Sequence, residues 1–243
     1  MTFIQALTLV MVGIVPSLFW LSFYLRKDCH PEPKHLVTTT FLMGIIISPL
    51  ALLLQWGVLL ISAKLSWTYF IENSASFYIW AAFVEEMIKF LAVTLIILRN
   101  PEFDEPVDAM IYMVTAGLGF AAIENVLFMF KVIPDGATMA LGVWTLRFMG
   151  AILLHALSSS IVGYFLAISW FYQHHKKKLI FIGLAIATLF HSAFNIFLWT
   201  FDNQLTALLY STALLLVMAI LVAILFDKVR DRHEKSKTLA IES

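Results

Sequence analysis

Long apolar runs follow one another along most of the chain, and each is close to the length of a membrane-spanning helix. About 20 predominantly apolar residues are needed to cross the hydrocarbon core of a bilayer. The pattern predicts seven such spans, at Phe3–Leu25, Leu36–Ile61, Phe77–Leu98, Val107–Phe130, Phe148–Tyr172, Leu179–Thr200 and Leu205–Phe226. The predicted fold class is therefore all-α, a polytopic integral membrane protein built as a bundle of about seven transmembrane helices.

One apolar stretch is too short to fit this pattern. Residues Ala137–Arg147 read ATMALGVWTLR and follow Pro134 and Gly136, which break the preceding helix. We interpret the stretch as a re-entrant or interfacial helix that leads into the fifth span, or as part of an eighth span. The domain prediction is one transmembrane domain over residues 1–226 and a short charged tail over 227–243.

Composition supports the membrane interpretation. The 243 residues are 61% hydrophobic with a mean hydropathy of +0.88, whereas a soluble domain is typically about 45–50% apolar. The formal net charge is zero, which argues against a nucleic-acid partner that needs a broad basic face. The lone cysteine, Cys29, excludes an intramolecular disulfide and a cysteine-based metal cluster.

The basic residues predict an orientation. The N-terminal run lacks the positive region of a signal peptide and is too long for one, so we interpret it as a retained helix. With seven spans, one side of the membrane receives Arg26, Lys27, Lys34, Arg99, Lys176, Lys177, Lys178, Lys228, Arg230, Arg232, Lys235 and Lys237, and the other only Lys64, Lys131 and Arg147. Because basic loops stay in the cytoplasm, we expect an outside N-terminus and a cytoplasmic C-terminus.

Ionisable side chains interrupt four of the apolar segments. An ionisable group at bilayer depth is costly, and by default it faces the protein interior and marks a functional site. The candidate site residues are Glu85, Glu86 and Lys89 in the third span, Glu124 in the fourth, His155 in the fifth, and His191 with Asn195 in the sixth. This set points to chemistry inside the membrane.

These side chains are predicted to lie at one depth. The four spans alternate in direction, and the polar residues lie about five to nine residues from their outer ends. At about 1.5 Å per residue, all fall roughly 8–14 Å below the outer surface. Unrelated structural polar groups have no reason to share a plane, so we expect the residues to converge.

Each residue also has a structural interpretation. Lys89 follows Glu86 by three positions and Glu85 by four, so an ion pair within the helix accounts for part of the charge. Since adjacent residues point about 100° apart on a helix, one glutamate is expected to face the site and the other to pair with Lys89; we favour Glu85 as the catalytic one. Asn195 alone would be an interhelical hydrogen-bonding residue.

The motifs that carry these residues resemble the PrsW family. FVEEMIK contains an EExxK motif at Glu85, Glu86 and Lys89; FAAIEN contains FxxxEN at Phe120, Glu124 and Asn125; HALSS and HSAFN supply His155, His191 and Asn195. The motifs occur in the family's order between Phe77 and Asn195. Two departures are visible: PrsW members often carry Asp at the position of Asn195, and the related CAAX prenyl endopeptidases carry His where this chain has Glu124.

The resemblance implies a membrane-embedded protease related to the CAAX endopeptidases and the bacterial CPBP/ABI proteins. It also implies a location in a bacterial cell membrane and cleavage of a membrane-anchored protein on the extracytoplasmic side, for which an anti-sigma factor is the family's best-known substrate. The outward depth of the polar residues agrees with that side. Lys89, Phe120 and Asn125 are expected to support the site.

A mechanism follows from the residue types. Peptide hydrolysis needs an activated water and stabilisation of the oxyanion. We expect Glu85 or Glu86 to act as general base, Glu124 and His155 to orient the water or return the proton, and His191 and Asn195 to donate to the oxyanion. A Zn²⁺ held by Glu85, Glu124, His155 and His191 is the alternative. Because there is no HExxH motif, we favour the metal-free version.

Two other classes of function remain open from the sequence. An ion- or proton-coupled transporter also buries carboxylates and histidines, although the polar groups lie near one face and no inverted repeat is evident. A catalytically inactive scaffold that binds helical segments is the other. Both predict partners in the membrane and none among nucleic acids.

Overall fold

The computed structural model describes residues 2–27 and 30–241, so Cys29 lies outside the described part of the chain. This part contains α-helices and two short 3₁₀ turns, and no strands. The helices are α1 (Phe3–Leu25), α2 (Lys34–Lys64), α3 (Ala75–Ile96), α4 (Asp108–Val132), α5 (Ala137–Met149), α6 (Ala151–Phe171), α7 (Lys176–Thr200) and α8 (Gln204–Ile241). The all-α prediction is confirmed.

Six segments of the described chain are long and apolar enough to cross a membrane. They are Phe3–Leu25, Lys34–Lys64, Asp108–Asp135, Ala137–Phe171, Gln173–Thr200 and Gln204–Thr238. The remaining predicted span corresponds to α3, whose 22 residues suffice for a crossing but include three charged side chains. All three charged side chains of α3 are buried inside the bundle, so the outer surface of this helix stays apolar. The protein is a polytopic integral membrane protein.

The short apolar stretch forms its own helix. α5 has 13 residues, which is too few to span a bilayer. Only Gly150 separates it from α6, and the backbone there (φ −106°, ψ −86°) is not helical. α5 therefore leads into the fifth predicted span across a bend, and it does not form an eighth span by itself. At the other end of the chain, α8 continues as a helix through the charged residues that follow Phe226.

α4 is the central helix. Of its 25 residues, 18 are buried, and it packs against α1, α2 and α6. Small residues permit this: a Cβ at Gly117 would lie 2.9 Å from Cβ of Ser159 and 3.0 Å from the carbonyl oxygen of His155, and one at Gly119 would overlap the carbonyl of Phe41. This pair of glycines thus lets α4 approach two neighbours, α6 and α2, at once.

The outward surfaces of the peripheral helices are apolar, in contrast to the small and polar residues of the interior. Large apolar side chains such as Ile4, Ile46, Leu53 and Ile220 are exposed on α1, α2 and α8. In water such a surface would be an interaction patch, whereas in a bilayer it is the surface that meets lipid. The polar side chains of α3, α4, α6 and α7 consequently have one apolar shell around them.

Candidate active site

Six ionisable side chains from four helices form one contiguous group, which we name the buried cluster: Glu85, Glu86, Lys89, Glu124, His155 and His191. α3 supplies the first three, α4 supplies Glu124, α6 supplies His155, and α7 supplies His191. The predicted convergence of these residues is therefore observed. The close approach at Gly117 brings the backbone of His155 against α4, so packing of small residues sets the position of the cluster.

Glu86 lies at the centre and is fully buried. Its Oε1 accepts hydrogen bonds from Lys89 Nζ at 2.8 Å, Ser158 Oγ at 2.9 Å and His191 Nδ1 at 2.8 Å. A buried carboxylate is stable only when paired and hydrogen-bonded. Glu86 is thus the glutamate that pairs with Lys89, and it joins α3 to α6 and α7.

Lys89 and His155 extend this network toward α4. Lys89 Nζ lies 2.7 Å from Nδ1 of His155, and Nε2 of His155 lies 2.8 Å from Oε2 of Glu124. The Phe120 ring packs at 5.0 Å from Lys89 Nζ and at 5.6 Å from the His155 ring, centroid to centroid. Phe120, which was expected to support the site, thus covers the Lys89 ammonium and the His155 imidazole.

The partners of the two imidazoles define their proton positions. An ionised carboxylate only accepts hydrogen bonds, so His191 donates from Nδ1 to Glu86 and His155 donates from Nε2 to Glu124. In the neutral rings, the remaining nitrogens are then lone-pair acceptors. These are Nε2 of His191 and Nδ1 of His155.

Glu85 faces both of these acceptors. Its Oε1 accepts a hydrogen bond from Gln55 Nε2 at 3.1 Å. Its Oε2 is buried without a hydrogen-bond partner, 3.5 Å from Nε2 of His191 and 3.9 Å from Nδ1 of His155. The carboxylate oxygen and the two imidazole nitrogens all lie within 4.8 Å of one another, so three electron-rich atoms share one small space.

The charges of the site do not balance with neutral imidazoles. The carboxylates of Glu85, Glu86 and Glu124 stand against Lys89 and one further basic residue, Arg147, whose guanidinium Nη2 lies 3.2 Å from Glu124 Oε2. One negative charge is therefore left over among the three carboxylates. Oε2 of Glu85 and Oε2 of Glu86 are both buried without a hydrogen-bond partner, and the Glu85 oxygen lies within 3.9 Å of the lone pairs of both imidazoles. A buried excess charge of this kind calls for a proton or a cation.

Three contributors were not assigned to the site from the sequence. Arg147 reaches Glu124 from α5, Gln55 reaches Glu85 from α2, and Ser158 of α6 donates to Glu86. In the sequence, Arg147 and Gln55 stand out only as single polar residues in apolar stretches, and neither position alone indicates which residue it contacts.

The other predicted residues lie around the cluster. Asn125 is buried and ties α4 to α1, since its Nδ2 donates to the Gly13 carbonyl at 2.8 Å while its Oδ1 accepts from Arg147 Nε at 3.0 Å. Asn195 lies one turn after His191, is half-buried, and forms no hydrogen bond to the described residues.

Comparisons with known proteins agree with the motif order. Residues 32–225 match a family model described as PrsW family intramembrane metalloprotease. The PrsW protease of Oceanobacillus iheyensis is 30% identical over 215 residues, covering 88% of this chain and 94% of the relative. The PrsW proteases of Bacillus subtilis and Clostridioides difficile are 26% and 27% identical, over 80% and 79% of this chain and 84% and 79% of the relatives.

No solved structure matches the chain significantly. The family match, in contrast, spans nearly all of the bundle and includes every residue of the buried cluster. The chain therefore belongs to the PrsW family and is an intramembrane protease.

Proposed function

We propose that the protein hydrolyses a peptide bond of a membrane-anchored protein near the extracytoplasmic face of a bacterial cell membrane, at a centre formed by Glu85, His155 and His191. The observation that carries the proposal is the meeting of three potential ligand atoms, one from each residue, around the buried Oε2 of Glu85, which has no hydrogen-bond partner. An arrangement of lone pairs around a buried, uncompensated negative charge suits the activation of a water and the binding of a cation.

The three residues fit a zinc ion. Zinc takes imidazole nitrogens and carboxylate oxygens, and in catalytic sites it has three protein ligands and an open position. Histidines that ligate a metal almost always donate their other ring N–H to a carboxylate or carbonyl. Both histidines do so here, His155 toward Glu124 and His191 toward Glu86. This pattern, together with the family description, favours the metal-dependent alternative over the metal-free one.

The ligand set differs in one respect from the four residues considered from the sequence. Glu124 contacts the outer nitrogen of His155 and is not among the three converging residues. Lys89 Nζ lies 2.7 Å from Nδ1 of His155, so this ammonium and a metal would compete for the same lone pair. A bound Zn²⁺ would supply an activated water and Lewis acidity toward the scissile carbonyl.

The chain's own residues have separable roles in this centre. Glu86 and Glu124 hold the two imidazoles with their lone pairs turned inward. Gln55 fixes one oxygen of Glu85, which leaves the other directed at the histidines. Glu85 is thus the glutamate placed to accept a proton from water or to ligate a cation, because its free oxygen lies near both imidazoles. Glu86 accepts three hydrogen bonds at Oε1, and although its Oε2 is also unpartnered, it serves mainly to hold Lys89, Ser158 and His191.

With the His191 N–H bonded to Glu86, Asn195 is the residue that we expect to stabilise the oxyanion. His191 was expected to donate to the oxyanion together with Asn195, but its N–H is already given to Glu86 and its other nitrogen is an acceptor. An amide group donates in either protonation state of the site, which is why Asn suits the position better than Asp. Asn195 is half-buried next to the cluster on α7, so its donor can turn toward a bound carbonyl.

The side of the membrane is inferred from charge and from position along the helices. Basic residues favour one side by roughly four to one, which places the opposite side outside. Glu124 lies eight residues before the end of α4 and His191 nine before the end of α7, or about 12–14 Å at 1.5 Å per residue. A single-pass protein such as an anti-sigma factor would be cut near its outer end.

Co-expression tests the proposal. The wild-type chain and Glu85→Ala would each be expressed with a library of tagged single-pass membrane proteins from the source organism, and shortened products would be sought. We expect products that vanish with Glu85→Ala while the variant inserts and accumulates normally. Flux coupled to a proton gradient in proteoliposomes, with no cleavage of any library member, would instead support a transporter.

Metal dependence has its own measurement. Elemental analysis of the purified protein, combined with chelation and re-addition of Zn²⁺, should show about one ion per chain and activity that returns with the metal. Glu85→Gln and His191→Ala should each lower the zinc content. Full activity in zinc-free protein would establish the metal-free mechanism instead.

A further inference from the structure

Arg147 is the one basic side chain of the short helix α5, and it reaches the buried cluster from outside. Its Nη2 lies 3.2 Å from Oε2 of Glu124, an ion pair without hydrogen-bond geometry, and its Nε donates to Oδ1 of Asn125 at 3.0 Å. The guanidinium also stacks 3.9 Å from the centroid of the Phe128 ring. All three contacts are made with α4, so the guanidinium is fixed in direction as well as in place.

The Glu124 oxygen that meets Arg147 is the same one that accepts the hydrogen bond from His155. Oε2 of Glu124 lies 2.8 Å from Nε2 of His155 and 3.2 Å from Arg147. Removing the guanidinium would free this carboxylate to rotate toward water, since 28% of the Glu124 side chain is exposed. The imidazole would then lose the acceptor that fixes its N–H at Nε2 and its lone pair at Nδ1.

A purely structural role is the competing explanation, because α5 needs anchors. It has them without Arg147: Trp144 Nε1 donates to the Val12 carbonyl at 2.9 Å, and Trp20 Nε1 donates to the Phe148 carbonyl at 3.0 Å. Neither of these contacts touches the buried cluster. Since α5 is held to α1 at two other points, the charge of Arg147 is not required to dock it.

We propose that Arg147 is a positioning residue of the active site: it holds Glu124, and through Glu124 it fixes the ring of His155 with Nδ1 turned toward Glu85 and His191. α5 delivers this guanidinium. Arg147 touches neither of the other two converging residues, so its effect on the centre passes through the carboxylate of Glu124. This inference rests on the proposed function, because it assumes that His155 belongs to the reacting centre.

The test compares Arg147→Gln and Arg147→Lys with two controls, Trp144→Phe and Lys131→Gln. Trp144→Phe removes an anchor of α5, and Lys131→Gln removes an exposed positive charge near the end of α4. Each full-length chain would be assayed for Zn²⁺ affinity by competition with a chromophoric chelator. Cleavage would be measured with a single-pass reporter cut by the wild type in the screen above.

Removing a partner that orients a ligating histidine typically costs about 10–100-fold in metal affinity or activity. We expect losses of this size for Arg147→Gln in zinc affinity and in kcat with KM nearly unchanged, partial recovery for Arg147→Lys, and wild-type values for both controls. In a Glu124→Gln background, Arg147→Gln should add no further loss, because residues that act as a unit are not additive.

Three outcomes would overturn the inference. Arg147→Gln could keep zinc affinity and kcat within about twofold of the wild type, Trp144→Phe could match its losses, or its effect could add fully to that of Glu124→Gln. A failure of the proposed function would differ from these, because His191→Ala would then keep full zinc affinity and cleavage irrespective of Arg147.

Discussion

In the described part of the chain, glutamate, histidine and lysine side chains meet in the buried cluster and also at a second place, and the two differ in their exposure to solvent. The second place, which we name the loop cluster, consists of Glu105 in the α3–α4 connection with His30, His233 and Lys237. There the three basic side chains surround one carboxylate oxygen at 3.1–3.8 Å. The residue types are the same as in the buried cluster.

Burial separates the two. In the loop cluster, 72% of the His30 side chain and 55% of the Lys237 side chain are exposed, whereas Glu86 and Lys89 are fully buried. Exposed pairs are screened by water and contribute little to stability. Buried pairs are costly to break because the remaining charge has no partner. The same residue types therefore form an exposed surface contact in one place and a buried, mutually dependent group of charges in the other.

The histidines give the largest contrast. His191→Ala should reduce cleavage of the screen's reporter by at least about 100-fold, since it removes one of the three groups that meet at the centre. His233→Ala, in the loop cluster, should leave cleavage unchanged. Initial rates with equal amounts of purified protein decide between them, and wild-type activity in His191→Ala would contradict the assignment.

The lysines differ in stability. Lys89→Met leaves Glu86 buried without its cation, which should lower the free energy of unfolding by about 3–5 kcal/mol. Lys237→Met should lower it by about 1 kcal/mol or less. Thermal unfolding in detergent checks both.

A double variant sharpens this comparison. Glu86→Gln/Lys89→Met removes both charges, so it should be more stable than Lys89→Met alone. Equal unfolding temperatures for Lys89→Met and Lys237→Met would mean that the burial of the pair does not matter.

Gln55 tests whether Glu85 is held in one direction. Gln55→Leu removes the only hydrogen bond to Oε1 of Glu85 among the described residues, so that the carboxylate can turn away from the histidines. We expect kcat to fall by about 10–100-fold with little change in KM. Trp56→Leu, at the exposed neighbouring position, is the matched control, and the idea fails if the two variants have equal kcat.

Gly117 tests the packing that places the cluster. Gly117→Ala would push against Ser159 and the His155 carbonyl, and overpacking of this kind costs about 1–3 kcal/mol. Gly142→Ala in α5 meets nothing within 4 Å and should have no such cost. The unfolding temperatures of the two variants measure the difference, and a Gly117→Ala protein as stable as Gly142→Ala would show that α4 and α6 can separate freely.

Glu105 should have the smallest effect. Partial burial raises its pKa, but hydrogen bonds from Lys237 and His30 outweigh this and hold the pKa below the ordinary 4.5. The ionised form is thus stabilised by folding, and its contribution is present above pH 4.5 and lost as pH falls through the lowered pKa. Glu105→Gln should cost about 1 kcal/mol or less at neutral pH, and the difference should vanish in acid. A difference that grows in acid would reverse this sign.

The convergence of the buried cluster was predictable because the depth of a residue in a membrane helix follows from its number of residues to the helix end. Helix direction and rise per residue are regular, so Glu85, Glu124, His155 and His191 could be assigned one depth without knowing which helices touch. The ion pair within α3 was predictable for the same reason, since residues three and four apart are neighbours on any helix.

The contributions of Arg147, Gln55 and the imidazole protons were not predictable in this way. α5 docks through a bend at Gly150 and through a hydrogen bond from Trp144 to α1, which are tertiary features. α2 is apolar on most of its circumference, so no periodicity indicates which neighbour Gln55 faces. The ring nitrogen that carries the proton depends on carboxylates from other helices, and these become known only when the helices are packed.

Cleavage is expected to depend on the buried cluster and not on the loop cluster. The most direct measurement expresses Glu85→Gln and Glu105→Gln with the same membrane-anchored reporter and quantifies the shortened product at matched protein levels. Both variants remove one carboxylate charge and keep its shape. The account predicts no product with Glu85→Gln and wild-type product with Glu105→Gln; full cleavage by Glu85→Gln would contradict it.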